Sequence, residues 1–300
     1  MSATRDPVGT PPPTATPRRE VVRVSVPKRS TRSELRAIKI VWKRELIRYF
    51  SDRLRIVTAL VQPLLFLFVL GSGLQQLSAA STHGVAYKTI IFPGILAISV
   101  LFTAMFSAAS IVWDREYGFL REMMVAPIRR SSIVIGKCLG GATVAGTQGV
   151  IVLCLAGAVH VPYNPVMIIE VLVLQLLLAF AITAFGVMIA VRIKQMQSFM
   201  GVTQMVMTPL MFISGALFPV VGLPVWLTVL NRVDPLTYAV DPMRRIVFQH
   251  LNISPAARQA LDPGITWWGW RVPTLVEAAV VVVLGLAMLG IAIWEFSSTD

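Results

Sequence analysis

The chain has 300 residues, 55% of them hydrophobic and only 14% charged, where soluble proteins carry about a quarter charged residues. A mean hydropathy of +0.71 argues against a water-soluble fold, which could not hide so much apolar surface. The net charge of +12 is concentrated, because residues 1–55 hold fourteen of the 27 basic residues. That is the positive-inside bias of a membrane protein; with no aromatic-rich groove or reading helix beside it, the charge points away from nucleic acid.

In chain order, residues 1–30 intersperse Pro7, Pro11, Pro12, Pro13 and Pro17 with Thr, Ala and Gly and are expected to form a disordered cytoplasmic tail. They lack the apolar stretch and small-residue cleavage site of a secretory signal. Thr31-Arg-Ser-Glu34 has the T-x-x-E form of a capping box, which predicts a helix start. Leu35, Ile38, Trp42, Leu46 and Tyr49 then recur at three- and four-residue steps among Lys39, Lys43, Arg44, Arg48 and Arg55. Residues 31–55 are therefore expected to form an amphipathic helix lying in the membrane interface.

Residues 56–295 are expected to form an all-α polytopic membrane domain. Runs without charge cover 56–87, 89–113, 138–169, 171–191, 195–231 and 278–294. At about 20 residues per span, they predict six transmembrane helices near 56–76, 90–113, 133–159, 166–191, 199–221 and 273–294. With the amino terminus inside, 21 Lys and Arg fall on the inner side and 6 on the outer. Both termini are then cytoplasmic in a multi-pass cell-membrane protein. The outer segment 222–272 is too apolar for a flexible loop. Leu223, Val225, Trp226, Leu227, Val229 and Leu230 predict a helix at the outer interface, and Trp267, Trp268 and Trp270 an aromatic anchor before the last span.

Enzymatic chemistry finds no support. No G-x-x-x-x-G-K-[ST] occurs; the one Gly-Lys pair, Gly136-Lys137, is followed by Cys138. There is no H-E-x-x-H, C-x-x-C or G-x-S-x-G, and His83, His160 and His250 stand alone, so neither a metal site nor a catalytic centre is expected. Cys138 and Cys154 sit about 24 Å apart on one predicted helix, too far for a disulfide. Glu170 and Glu277 each lie about one turn inside the predicted outer end of a span. They are either carboxylates solvated at the interface or cation-contacting groups of an outer vestibule. Gly136-x-x-x-Gly140, with Gly141, Ala142, Ala145 and Gly146, predicts close helix approach, within one copy or between two.

The inner loop after the second span is the informative feature. It reads Asp114-Arg-Glu116-Tyr-Gly118-Phe119-Leu120-Arg-Glu122-Met123-Met124-Val-Ala-Pro127-Ile-Arg-Arg130. Phe119, Leu120, Met123 and Met124 make an apolar edge flanked by charges, and Pro127 stops the helix. Docking to a soluble partner needs such an edge; a merely solvated loop does not.

This loop resembles the segment between the second and third spans of ABC-2 type permeases. The family's Glu-x-Gly-x-Leu…Pro pattern is matched by Glu116, Gly118, Leu120 and Pro127, while Phe119 and Arg121 depart from the commoner Thr and Glu. The wording around Phe119–Pro127 is similar to the daunorubicin-resistance, antibiotic-exporter branch. A second match runs through Pro209, Ser214, Gly215, Phe218, Pro219, Pro224, Trp226, Pro235, Tyr238, Asp241 and Arg244, the family's outer motif. The resemblance implies a permease subunit that binds no cofactor itself. ATP and Mg would be held by a separate ATP-binding subunit, two copies per complex, beside a second permease copy or paralogue in the lipid bilayer. It assigns Glu116, Gly118, Phe119, Leu120, Glu122, Met123, Met124 and Pro127 to coupling. It also implies export of an amphipathic drug, antibiotic or lipid-like substrate. Export of a lipid-linked surface polysaccharide is the alternative within the family, and a membrane enzyme or scaffold without transport the alternative outside it.

Overall fold

The computed structural model describes residues 30–75, 84–125, 128–217, 224–251, 253–261, 264–267 and 269–298. The expected tail, apart from Ser30, lies outside the described residues, as do Pro127, Phe218, Pro219 and Trp268.

Helix α1 (Thr31–Ser51) starts one residue earlier than the capping-box reading. Ser30 is the N-cap, in extended backbone at φ −128° and ψ 148°. Its hydroxyl accepts the Arg32 N–H at 3.2 Å, and the Ser33 hydroxyl accepts the Ser30 N–H at 3.1 Å. Glu34, no longer needed at the cap, accepts the Ser132 hydroxyl at 2.6 Å and so ties α1 to α5 (Arg130–Leu153). Ala37, Val41, Glu45 and Tyr49, four residues apart, are buried, while Leu35, Ile40, Ile47 and Phe50 stay exposed. The helix thus packs one stripe on the bundle and leaves an apolar one free, as an interfacial helix would. The glycines of the Gly-x-x-x-Gly motif serve this packing: a Cβ at Gly136 would stand 2.8 Å from that of Val41, and one at Gly140 2.7 Å from that of Glu45. The close approach is therefore within one chain.

Helix α2 (Arg53–Gly73) is capped by Asp52 and widens to a π-helical stretch over Leu65–Leu70. Pro63, which offers no N–H and crowds the preceding turn, stands just before it. Helix α3 (Tyr87–Glu116) is the centre of the fold and is buried along nearly its whole length. Gly94 lets it meet the Gly215–Leu217 segment, because a Cβ there would overlap the Ala216 carbonyl. A short helix α4 (Phe119–Val125) precedes α5; α6 (Pro165–Arg192), α7 (Met196–Ile213) and the terminal α11 (Thr274–Ser298) complete the bundle. Between α7 and α11 run α8 (Val225–Val233), α9 (Thr237–Gln249) and α10 (Pro255–Leu261). An antiparallel hairpin, β1 (Thr266–Trp267) with β2 (Trp270–Arg271), follows them and pairs Trp267 with Trp270. The described residues are nearly all helical, in keeping with the all-α expectation, and the tryptophans expected to form an aromatic anchor include this short strand pair, turned by Gly269 at φ 87°.

Four helices among the described residues are long and apolar enough to cross a membrane: α2, α3, α6 and α11. The helices at the third and fifth expected spans, α5 and α7, carry Lys137 and Gln148, and Gln197, Gln204 and Pro209, which lower their hydropathy.

Candidate functional site: a docking helix on a buried charge cluster

Gly118 turns α3 into α4. Its φ of +82° is in the left-handed region, where a side chain would be strained. That geometry aims Leu120 inward, 5% exposed, into a cluster with Ile111, Val112, Val134 and Phe199. Glu116, Tyr117, Phe119, Glu122 and Val125 remain exposed. The expected apolar edge is thereby divided. Leu120 anchors α4, Met123 is half-buried, and Phe119 faces out. The side chain of Met124 lies outside the described residues. Tyr117 and Val125, 72% and 85% exposed, join the outer edge; the sequence reading passed over both.

Behind α4 lies a buried cluster of charge that the sequence reading did not assemble. The Lys137 ammonium meets Asp114 at 2.5 Å, Glu45 at 2.8 Å and the Ser110 hydroxyl at 3.1 Å. Arg44 closes on Asp114 at 3.1 Å, its guanidinium lies 5.9 Å from the Phe119 ring centre, and it donates to the Met123 sulfur at 3.4 Å. Arg48 stands 3.8 Å from Asp114 and 4.8 Å from the Trp113 ring centre. One network therefore joins α1, α3, α4 and α5. Two further cations at this end are also structural. Arg115 donates to the Ile193 and Val191 carbonyls at 2.8 and 2.9 Å, satisfying the open end of α6. Arg192 pairs with Glu295 of α11. No local pattern announced these partners, since they lie 23 to 103 positions apart.

At the opposite end the residues of the second motif converge. Arg244 donates to the Gly215 carbonyl. Tyr238 donates to the Arg232 carbonyl at 2.7 Å and accepts the Trp267 indole N–H at 3.1 Å. Arg245, not singled out from the sequence, pairs with Asp241 at 2.8 Å and Glu277 at 3.4 Å. Glu277 is fully buried and Glu170 exposed, so the two do not present a common vestibule: Glu277 is held inside by Arg245. Ser214 is buried, Pro209 lies within α7, Pro224 caps α8, and Trp226 is 65% exposed.

Asp234, beside Pro235, accepts the Leu236 N–H at 2.9 Å and the Thr237 hydroxyl at 3.1 Å. Burial pushes its carboxyl up from 3.8 to about 7, against the lowering effect of these bonds. An acid whose folded pKa is raised binds its proton more tightly in the folded state. Stability should therefore fall as pH rises from about 4 to about 7, by up to about 1.4 kcal/mol per unit. Melting of the detergent-purified protein across that window should show the slope, and Asp234→Asn should flatten it.

Taken together, the fold is that of a multi-pass helical membrane protein with an exposed short helix at one end. The chain belongs to the ABC-2 type transporter family, whose model matches residues 36–248; it is a transport permease of an ABC transporter. It is 28% identical over 210 residues to the transport permease ycf38 of Cyanophora paradoxa, covering 68% of this chain and 72% of that one. It is 27% identical over 247 residues to nodulation protein J of Rhizobium leguminosarum bv. viciae, covering 80% and 92%. A 170-residue match at 27% identity, 56% of this chain and 46% of the other, joins it to the "Probable multidrug ABC transporter permease YbhR" of Escherichia coli (strain K12).

Proposed function

We propose that the chain is the membrane-spanning half of an ATP-driven exporter and that a separate ATP-binding subunit docks on α4. The observation that carries this reading is the exposed edge of Glu116, Tyr117, Phe119, Glu122 and Val125, fastened through Leu120 and the Lys137 cluster to three long helices. Force applied to that edge reaches the bundle through buried ion pairs rather than through a slack loop. Two ATP-binding subunits and a second permease would complete the complex. The substrate class is an amphipathic drug, antibiotic or lipid-like molecule, in keeping with the loop's similarity to the antibiotic-exporter branch.

This reading has six spans, with α5 and α7 as the third and fifth. At 1.5 Å per residue their 24 and 18 residues extend about 36 and 27 Å, comparable to a hydrocarbon core about 30 Å thick. Both termini are inside, following the basic asymmetry. A cysteine engineered beside Arg258 should then react with an impermeant maleimide in intact cells; reaction only after permeabilisation would reverse the orientation. The exporter reading itself is tested by co-expression with a candidate ATP-binding subunit. Co-purification and ATP-dependent efflux are expected, while the permease alone should hydrolyse no ATP.

A further inference from the structure

The outward face of α1 changes character along its length. Arg32, Arg36, Lys39, Lys43, Ile47 and Phe50 follow one another at steps of three or four residues and so share one stripe. All six are exposed. The first four are cations and the last two are apolar. Exposed Leu54, Val57 and Val61 carry the apolar surface on into α2.

The charges of α1 are sorted between its two faces. Both of its acids turn to the bundle, Glu34 to Ser132 and Glu45 to Lys137. Arg44 and Arg48 are held by Asp114. Among the described residues, none of Arg32, Arg36, Lys39 and Lys43 stands in an ion pair. The stripe also has a direction, because the contacts of α1 advance together with those of α5. Glu34 meets Ser132, Val41 packs on Gly136 and Glu45 on Gly140, and Tyr49 donates to Gln148 at 3.0 Å. The cationic half therefore stands at the end of the bundle where Asp114 and α4 lie, and the apolar half reaches further along it. A soluble partner could cover the cations but would leave Ile47 and Phe50 in water. A bilayer covers both, with headgroups against the cations, acyl chains against the apolar end, and the long basic side chains bridging the boundary.

We propose that this stripe is a binding surface for acidic phospholipid headgroups, those of the inner leaflet in the orientation given above. The inference goes beyond the exporter reading, because it concerns the lipids that seat the chain and not the molecule it moves. Four like charges with no protein counter-ion take theirs from the membrane, each contributing about a fivefold factor beside an acidic leaflet.

The test uses the full chain with a bimane label at Ile40→Cys, an exposed position beside the stripe. The background is Cys154→Ser, since Cys138 is buried. Nanodiscs of phosphatidylcholine receive equal small fractions of phosphatidylglycerol or phosphatidylcholine carrying the same spin label on the acyl chain. The two quenchers share their tails, so a difference in quenching reads the headgroup. The phosphatidylglycerol probe should be enriched about fivefold around the label. Salt at about 1 M should remove most of that preference, because screening then acts within about 3 Å. Changing all four cations to Gln should bring the two lipids level with little change in melting, as the side chains are exposed. Lys39→Arg should keep the preference and Lys39→Gln should reduce it. Lys194→Gln removes the same charge from an exposed position outside the stripe and should change nothing; an equal loss there would mean attraction by net charge and overturn the proposal. Equal quenching by the two lipids with the stripe intact would overturn it too, whether or not the fourfold variant folds. Binding of an ATP-binding subunit that shields the label from both lipids, and is lost in the fourfold variant, would give the stripe to that partner and overturn the lipid reading. The lipid measurement needs neither ATPase nor substrate, so its outcome is independent of the exporter reading.

Discussion

Lys137→Met should destabilise the protein by about 3–5 kcal/mol, the range for removing one partner of a buried ion pair. The lysine side chain is 2% exposed, between Glu45 at 6% and Asp114 at 3%. Methionine fills a similar volume but leaves two buried carboxylates with fewer cations, so the loss is electrostatic rather than one of packing. Thermal unfolding in detergent measures it. If the charge balance is the cause, Glu45→Gln combined with Lys137→Met should cost less than the two single changes added, because neighbours in one network are not additive. A strictly additive pair would show that Lys137 and Glu45 are not energetically coupled. The same variants bear on coupling, since Asp114 also binds Arg44, which reaches Phe119 and Met123.

Phe119→Ala should leave membrane insertion and melting nearly unchanged, because the ring is 48% exposed, yet cut efflux far more than ATP turnover in the assembled complex. Glu116→Lys should act earlier, by weakening assembly itself. Breaking one side of a desolvated charge pair costs about 2–5 kcal/mol, a loss of at least about thirtyfold in affinity. Co-purification of the ATP-binding subunit and efflux, measured in parallel for both variants, separate the two effects. Wild-type values throughout would mean that α4 is only a solvated turn carrying inner arginines. Leu120→Ala is the contrast: its side chain lies in the core, so it should lose stability first and coupling as a consequence.

Some of this was legible in the sequence because it depends on composition and short spacing. The apolar bundle, the amphipathic α1, the absence of a P-loop and the apolar edge of the inner loop are properties of residues near one another in the chain. Local chemistry is enough to define them. Even here the helix start slipped by one residue, because Ser30 and Thr31 can both cap and only the backbone conformation chooses between them.

The division of α4 into Leu120 facing in and Phe119 facing out belongs to the tertiary structure. Both are apolar, and on a seven-residue helix the buried face is set by where α3 and α5 stand. The same holds for the charges. Counting Lys and Arg predicts an inner side, but it cannot say that Lys137 is buried among carboxylates or that Arg115 closes the end of α6. Its position near a helix end left Glu277 open as either a carboxylate solvated at the interface or a vestibule group; Arg245, thirty-two residues away, holds it inside. Pairing of charges depends on distances in space between segments far apart in sequence. The sequence by itself determined what kind of protein this is, while the packing of helices decided which side chains of the inner loop face out and which charges are fastened.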